Sequence, residues 1–504
     1  MRRVLLVAMF AAAGTAYSQT AIPPARTCES LASVVLPDTA IESAVLEPAT
    51  SVRPAFCRVT AMVTHPPAGD RIRVFIGLPT GRWNGRFQGV GGGGFSGGNP
   101  NGIVVPVAQG YASGSTDTGH EGGSGSFALG ANGRLNWQLI RDNAYLGIHE
   151  MTVTGKALAE AFYGRAPRYS YFNGCSTGGR QGLSEAQRYP ADFDGILSGA
   201  PAINWTKLHV EQMWGQLAML QAGNFLPPCK FAAAQAAAVA ACDEADGVKD
   251  GVLEDPRGCA FDPKQLVGTT AGDCGAFTES DADVVRKIWQ GPRRRDGSFL
   301  WYGLPRGADF SGLNATGGTP LTGRPNQITL DWWRYFLAQN PQWDWTTLTA
   351  GSYEQSFDQS VEEFSAVLAT DNPDLSGFRD RAGKIILWHG WFDPLIYPEG
   401  TIDYYQRVQR QMGGAEETAK FARLFMAPGV GHCSGGPGPQ PAGQFDALVR
   451  WVEEGTAPEV LNAVRRDKAG KVVGSRPLCR FPLVARYQGT GSTDDAANFV
   501  CVAR

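Results

Sequence analysis

The stretch "YFNGCSTGGRQG", residues 171–182, decides how this chain is read. It holds Ser176 in the frame Gly174-Cys175-Ser176-Thr177-Gly178. That is the G-x-S-x-G pattern of a serine presented on a sharp strand-to-helix turn. Its context agrees: "YSYFNGCS" reads as a strand and "GGRQGLSEAQRYP" as a helix. A sharp turn needs flanks without side chains, and Gly174, Gly178 and Gly179 meet that need. In a chain with 64 glycines the pattern alone is weak, and a glycine-rich loop with a structural serine is the competing reading. Cys175 poses a question. A free thiol beside an exposed, reactive serine would be a rival nucleophile.

Around this stretch, strands alternate with helices. "RIRVFIGLP" (residues 71–79) and "RFQGVGGGGF" (residues 86–95) read as strands, the second running into a glycine loop. "MTVTGKALAEAFYG" (residues 151–164) reads as a helix with Gly164 as its C-terminal cap. "DGILSGAPA" is a further strand, and "KIILWHGWFDP" and "ARLFMAPGVGHC" are each a strand followed by a loop. "GQFDALVRWVEEG" (residues 443–455) is the last helix. Such alternation indicates a mostly parallel sheet flanked by helices.

Composition narrows the class. Hydrophobic residues make up 43% and charged residues 18%, which is globular, and a net charge of −3 gives no reason to expect a nucleic-acid partner. The run Arg293-Arg294-Arg295 reads as a solvated loop. The N-terminus, "MRRVLLVAMFAAAGTAYSQT", has a basic start, a short apolar run and small residues at Ala16 and Ser18. It reads as a signal peptide over residues 1–18, removed on export to the periplasm or the medium. The apolar run is too short for a membrane anchor. An oxidising destination makes ten cysteines read as five disulfides.

A serine nucleophile needs a base and an orienting acid, in chain order Ser, Asp, His for this architecture. Three histidines follow the elbow: His209, His389 and His432. His432 lies in a loop after an apolar strand and before the final helix, and Asp393 in the loop after the preceding strand. His389 shares that loop as a competitor, but choosing it leaves no acid upstream in a comparable position. Cys433 follows His432, as Cys175 precedes Ser176. If serine and histidine meet, so do the cysteines. A Cys175–Cys433 disulfide makes Cys175 a staple and removes the rival thiol.

At "GCSTGGRQG", "HGWFDPLI" and "GVGHCSGGPGP" the chain resembles the tannase and feruloyl esterase family of α/β-hydrolases. The resemblance extends to "GGGGFSGG", "STDTGH", "HEMTVTGKAL" and "CDEADGVKDGVLEDPRGC", across nearly the whole mature chain. It implies an α/β-hydrolase fold, a catalytic Ser176, Asp393 and His432, and the Cys175–Cys433 link. The oxyanion hole is expected from the backbone N–H of Thr177 and of a glycine in the loop 91–95, Gly93 being favoured.

The chain between Ala202 and Lys384 is far too long for a simple sheet connection. The resemblance implies a lid domain there. The expected division is residues 19–202 and 376–504 for the hydrolase domain and 203–375 for the lid. Eight of the 13 tryptophans fall in the lid segment, mostly as core. Within it, Asp243, Asp246 and Asp250 crowd three carboxylates into one turn-rich loop, which suits a structural Ca2+. The resemblance adds the carbonyls of Val248 and Val252 as ligands. Cys242 and Cys259 flank the loop and are expected to pair. The resemblance pairs Cys28 with Cys57 and Cys479 with Cys501. The family often has a short-range cysteine pair after the calcium loop, where this chain has Val267 and Gly268. Cys229 and Cys274 are paired by elimination.

The expected activity is hydrolysis of small esters of aromatic acids: feruloyl, galloyl, hydroxybenzoyl or terephthaloyl monoesters. A silent hydrolase fold used for binding, or a serine peptidase, are the alternatives.

Overall fold

A computed structural model describes residues 22–51 and 53–504. The expected signal peptide lies outside the described residues. Nine strands form one sheet: β1 (Thr39–Glu47), β2 (Phe56–Val63), β3 (Ile72–Pro79), β4 (Arg86–Val90), β5 (Ala112–Thr116), β6 (Tyr169–Cys175), β7 (Gly195–Gly199), β8 (Lys384–Gly390) and β9 (Ala422–Ala427). Their spatial order is β1-β2-β3-β5-β4-β6-β7-β8-β9. The first three are antiparallel to their neighbours, and β5 onward is parallel.

Strands β8 and β9 are largely apolar because both of their faces are covered. Along β8, Ile385 and Leu387 enter one core while Ile386 and Trp388 enter the opposite one. On β9, Leu424 and Met426 likewise alternate with Phe425 and Ala427. The principal helices are α1 (Gly147–Tyr163), α2 (Thr177–Arg188), α3 (Trp205–Glu211), α4 (Trp214–Ala222), α5 (Pro228–Cys242), α6 (Glu279–Gln290), α7 (Ala350–Leu368), α8 (Glu399–Gln411) and α9 (Gln444–Glu454). Helices α1, α2 and α8 cover one face of the sheet, and α9 covers the other with Leu448 and Trp451. Helix α1 begins four residues before the sequence reading placed it and ends as expected. Gly164, at φ 71°, bonds its N–H to Glu160 O at 2.8 Å.

Helices α3 to α7 belong to the insertion between β7 and β8. An aromatic core joins it to the strand-end loops below. Trp205, Trp332, Trp333, Tyr353 and Phe364 pack with Phe95, which follows β4, and Ile396, which follows β8. The insertion thus roofs the carboxyl ends of the parallel strands, where open α/β sheets place their ligands.

Beyond the sheet, β10 (Gln440–Ala442), β11 (Val460–Arg466) and β12 (Val472–Cys479) form a small antiparallel sheet. A hairpin of β13 (Val484–Tyr487) and β14 (Phe499–Val502) follows. All five expected disulfides are present, the Cys229–Cys274 pair included. Among the described residues no cysteine is free, and no helix is long and apolar enough to cross a membrane.

Candidate functional site

Strand β6 ends at Cys175, α2 starts at Thr177, and Ser176 between them has φ 63° and ψ −123°. An L-residue there is strained and must be held by its surroundings. Ser176 N–H donates to Gly199 O at 3.0 Å, and its carbonyl accepts from Arg180 N at 3.1 Å and Ala202 N at 3.2 Å. The turn closes on bare backbone. A Cβ on Gly174 would lie 2.4 Å from Gly178 C, and one on Gly179 2.6 Å from Gly199 O.

Asp393 and His432 stand on the loops after β8 and β9. Asp393 is fully buried. Its Oδ1 accepts from Leu395 N at 2.9 Å and Ile396 N at 3.0 Å, and its Oδ2 meets His432 Nδ1 at 2.7 Å. Nδ1 therefore carries the proton and His432 Nε2 is left basic. Burial opposes the Asp393 charge, but His432 and the hydrogen bonds from His389 and His432 hold its carboxyl well below the usual range. Burial works against a charged His432 as well. The Asp393 carboxylate outweighs it and raises the imidazole above 6.5.

His389 is not a rival base. It is fully buried behind Asp393, with Nε2 at 2.9 Å from Ile396 O and 3.1 Å from Asp393 Oδ2, and Nδ1 at 2.9 Å from Thr401 Oγ1. Two acceptors at Nε2 make it the protonated nitrogen, so His389 locks the carboxylate that orients His432. Cys175 and Cys433 are bonded with Cα atoms 5.9 Å apart, and Ser176 and His432 line one cleft. Among the described residues, no hydrogen bond yet joins the Ser176 hydroxyl to His432.

The loop 91–94 lies against the elbow. Gly91 N–H goes to Asn173 O at 3.2 Å and Gly92 N–H to Gln181 Oε1 at 2.9 Å, while Gly92 O takes Gly178 N–H at 3.0 Å. These bonds leave Gly93 and Gly94 as the loop's donors. A Cβ on Gly93 would meet nothing within 4 Å, whereas Gly94 borders the cleft and accepts the Thr177 hydroxyl at 2.5 Å. Thr177 opens α2, where the helix offers its N–H no acceptor.

The cleft has a volume of about 40 Å3 and is walled by Trp205, Leu208, Leu313, Ile328 and Leu395, with His209 and Gln212 among its polar residues. Of the eight tryptophans in the insertion, Trp205 is the one that reaches it. The sequence reading weighed His209 only as a base. Its pairing with Trp205 at i, i+4 on one helix was the signal available.

The acidic loop offers the hard oxygen donors that Ca2+ takes, although the ligand atoms of its three carboxylates do not all lie within 4.8 Å of one another. Asp243 and Asp246 are buried, and the carbonyls of Val248 and Val252 accept no hydrogen bond among the described residues. Asp243 already receives the N–H groups of Asp250, Gly251 and Val252 at 2.9–3.2 Å. A residue not singled out from sequence also takes part: Arg476 on β12 pairs with both Asp246 and Asp250. One guanidinium against three aspartates leaves net negative charge for a cation to neutralise.

The strand order, with its serine at a strand-to-helix turn under an inserted roof, defines an α/β-hydrolase. The family model for tannase and feruloyl esterase matches residues 57–502. A probable feruloyl esterase of Arthroderma benhamiae is 41% identical over 88% of this chain and 85% of its own. Mono(2-hydroxyethyl) terephthalate hydrolase of Piscinibacter sakaiensis is 31% identical over 89% and 85%. The crystal structure of feruloyl esterase B from Aspergillus oryzae superposes with a TM-score of 0.83 at 28% identity, over 94% of this chain and 99% of that one. The chain belongs to the tannase and feruloyl esterase family and is a carboxylic ester hydrolase.

Two predictions follow from the geometry. The Cys175–Cys433 bond spans 258 residues, for which the chain-entropy estimate is about 5.5 kcal/mol of stability. The double variant Cys175→Ala, Cys433→Ala is expected to lose kcat by more than its fraction unfolded accounts for, assayed well below its Tm. Full kcat in the folded variant would show that the staple does not position the site. For the acidic loop, chelation with EGTA is expected to lower Tm, with activity following. A calorimetric trace insensitive to both Ca2+ and chelator would show that Arg476 alone balances the loop.

Proposed function

We propose that the protein is an exported serine esterase that cleaves small esters of aromatic acids through Ser176, His432 and Asp393. The observation that carries this reading is the 2.7 Å His432–Asp393 hydrogen bond, set beside a serine elbow to which the base loop is covalently tied. Five disulfides favour an oxidising destination and so agree with export. The names of the relatives favour feruloyl and terephthaloyl esters, and galloyl and hydroxybenzoyl esters are of the same aromatic class.

Ser176 Oγ attacks the ester carbonyl carbon and gives its proton to His432 Nε2. Asp393 holds the imidazole and stabilises its positive charge. The oxyanion is received by the N–H groups of Thr177 and Gly93. His432 then passes the proton to the departing alcohol oxygen, leaving an acyl-enzyme. A water, deprotonated by Nε2, attacks that acyl carbon and releases the acid and Ser176. The insertion, residues 203–375, acts as a lid that shapes the acyl pocket. A Ca2+ held by Asp243, Asp246, Asp250 and the Val248 and Val252 carbonyls is structural and takes no part in the reaction.

Ser176→Ala is expected to stay folded by circular dichroism and to lose nearly all release of p-nitrophenol from a short acyl ester. Wild-type turnover in that variant would overturn the assignment. The pH profile tests the base. His432 must be neutral to accept a proton, and its pKa is raised above 6.5, so kcat/KM is expected to fall as pH drops through an acid limb above 6.5. In Asp393→Asn the raising partner is gone and burial remains. The limb is expected to move below 6.5 and the rate to fall by about 10^4-fold. An unmoved limb would assign it to another group.

A further inference from the structure

Away from the cleft, a second group of ionisable side chains meets between α1 and α2. His149 lies in the first turn of α1, Glu185 on α2, and Asp192 on the turn from α2 to β7. One ligand atom of each lies within 4.8 Å of those of the other two. His149 Nδ1 is 2.7 Å from Asp192 Oδ2, and Tyr189 stacks on the imidazole at 3.8 Å, which fixes its plane. Glu185 is 1% exposed, and both of its carboxylate oxygens are without a hydrogen-bond partner. None of the three residues lines the cleft that holds Ser176.

A buried carboxyl that meets no donor is costly and calls for an explanation. A proton shared with Asp192 would serve one Glu185 oxygen and leave the other bare. No protein cation answers it either. The Lys156 ammonium donates to the backbone carbonyl of Asp192, and among the described residues no Lys or Arg pairs with Glu185 or with the Asp192 carboxylate. The cluster of His65, Asp70 and Asp142 shows the contrast. There the two ring nitrogens meet Asp70 Oδ2 at 2.6 Å and Glu150 Oε1 at 3.2 Å. Burial works against a charged His65, but Asp70 and Glu150 outweigh it and raise the imidazole above 6.5. The protein supplies that cluster's cation itself. At His149, among the described residues, only Nδ1 meets a carboxylate.

We propose that His149, Glu185 and Asp192 bind a structural Zn2+ ion. One imidazole nitrogen and two carboxylate oxygens are ligands that Zn2+ takes, and three protein ligands leave its fourth position to water. The His149 side chain is 25% exposed, so ion and water have a way in. Binding exchanges the His149–Asp192 hydrogen bond for two bonds to the metal and moves the imidazole proton from Nδ1 to Nε2. The two carboxylates balance the charge of the ion, and Glu185 gains the partner it lacks. The ion ties α2, whose first residue follows Ser176, to α1.

The test titrates the mature protein with zinc chloride in excess Ca2+, which keeps zinc from the acidic loop. The wild type is expected to bind one Zn2+ per chain by calorimetry, with Tm rising as zinc is added. Glu185→Gln keeps the shape and removes the charge. His149→Phe keeps the stack on Tyr189 and removes the nitrogen. Each is expected to raise the Kd by more than the about 10–100-fold that loss of an outer-shell partner costs. His65→Gln is expected to bind as the wild type does. In the wild type, zinc is expected to protect His149 from diethyl pyrocarbonate, read by peptide mass spectrometry, and to leave His65 open to it. That labelling decides if a variant does not fold. A flat wild-type titration overturns the proposal and leaves a proton shared by Glu185 and Asp192. Zinc binding that survives Glu185→Gln or His149→Phe, or that is lost in His65→Gln, overturns it too. So does zinc that protects His65 or His432 in place of His149.

Discussion

Strand β6 and helix α2 must cross at Ser176 with no side chain between them, and much of the site follows from that contact. At 2.4 Å from the position of a Gly174 Cβ, the Gly178 backbone leaves no room for alanine. The same crowding extends to the neighbouring loop, since a Cβ on Gly91 would lie 2.4 Å from Gly178 Cα. The glycine loop is therefore packed against the elbow as backbone on backbone. Gln181 pins it there, accepting from Gly92 N–H and donating to Gly97 O at 3.1 Å. Close approach of two backbones is what brings this loop to the serine elbow, and only glycines allow it.

The other half of the site is held from behind. Buried between His389 and His432, Asp393 keeps its charge because every lone pair it turns inward meets an N–H. His389 is in turn held by Thr401 at the start of α8. The base loop is thus anchored to a helix on one side of the sheet, and through Cys433 to the nucleophile strand. Its hydrogen bond to Asp393 and its disulfide both come from outside the chain between β7 and β8, whose own residues line the pocket.

What the sequence disclosed tracks how locally each feature is determined. Strands β8 and β9 were legible because burial on both faces makes them continuous apolar runs, and α1 because Gly164 ends it. Strands β1, β2 and β5 were not read, β5 because it is buried yet built of small and polar residues, Ala112 to Thr116. Strand β1 is an edge, half exposed along its length, and its charges, such as Glu42 and Glu47, are spent on arginines of β2, β3 and the intervening loop. Ser176, Asp393 and His432 stood out because each occupies a loop after a parallel strand, and two of them adjoin a cysteine. The glycine loop after β4 was legible, but which of its N–H groups remain free depends on Asn173 and Gln181, which spacing does not show.

The acidic loop is closer to the chemistry than its place in the insertion suggests. Val252 packs against Gly429, three residues before His432: a Cβ on Gly429 would lie 2.9 Å from Val252 Cγ2 and equally close to the Gly438 backbone. Gly429 is at φ 65°, where glycine is favoured, so the turn into the base loop is tightly specified. On its other side the acidic loop is fixed by Arg476 on β12, and Glu254 accepts from Ala485 N–H of β13 at 2.7 Å. The C-terminal strands therefore brace the acidic loop, and the acidic loop braces the approach to His432. Through Val252, whose N–H bonds to Asp243 and Asp250, the aspartates connect to the loop that carries His432, although none of the three lines the cleft.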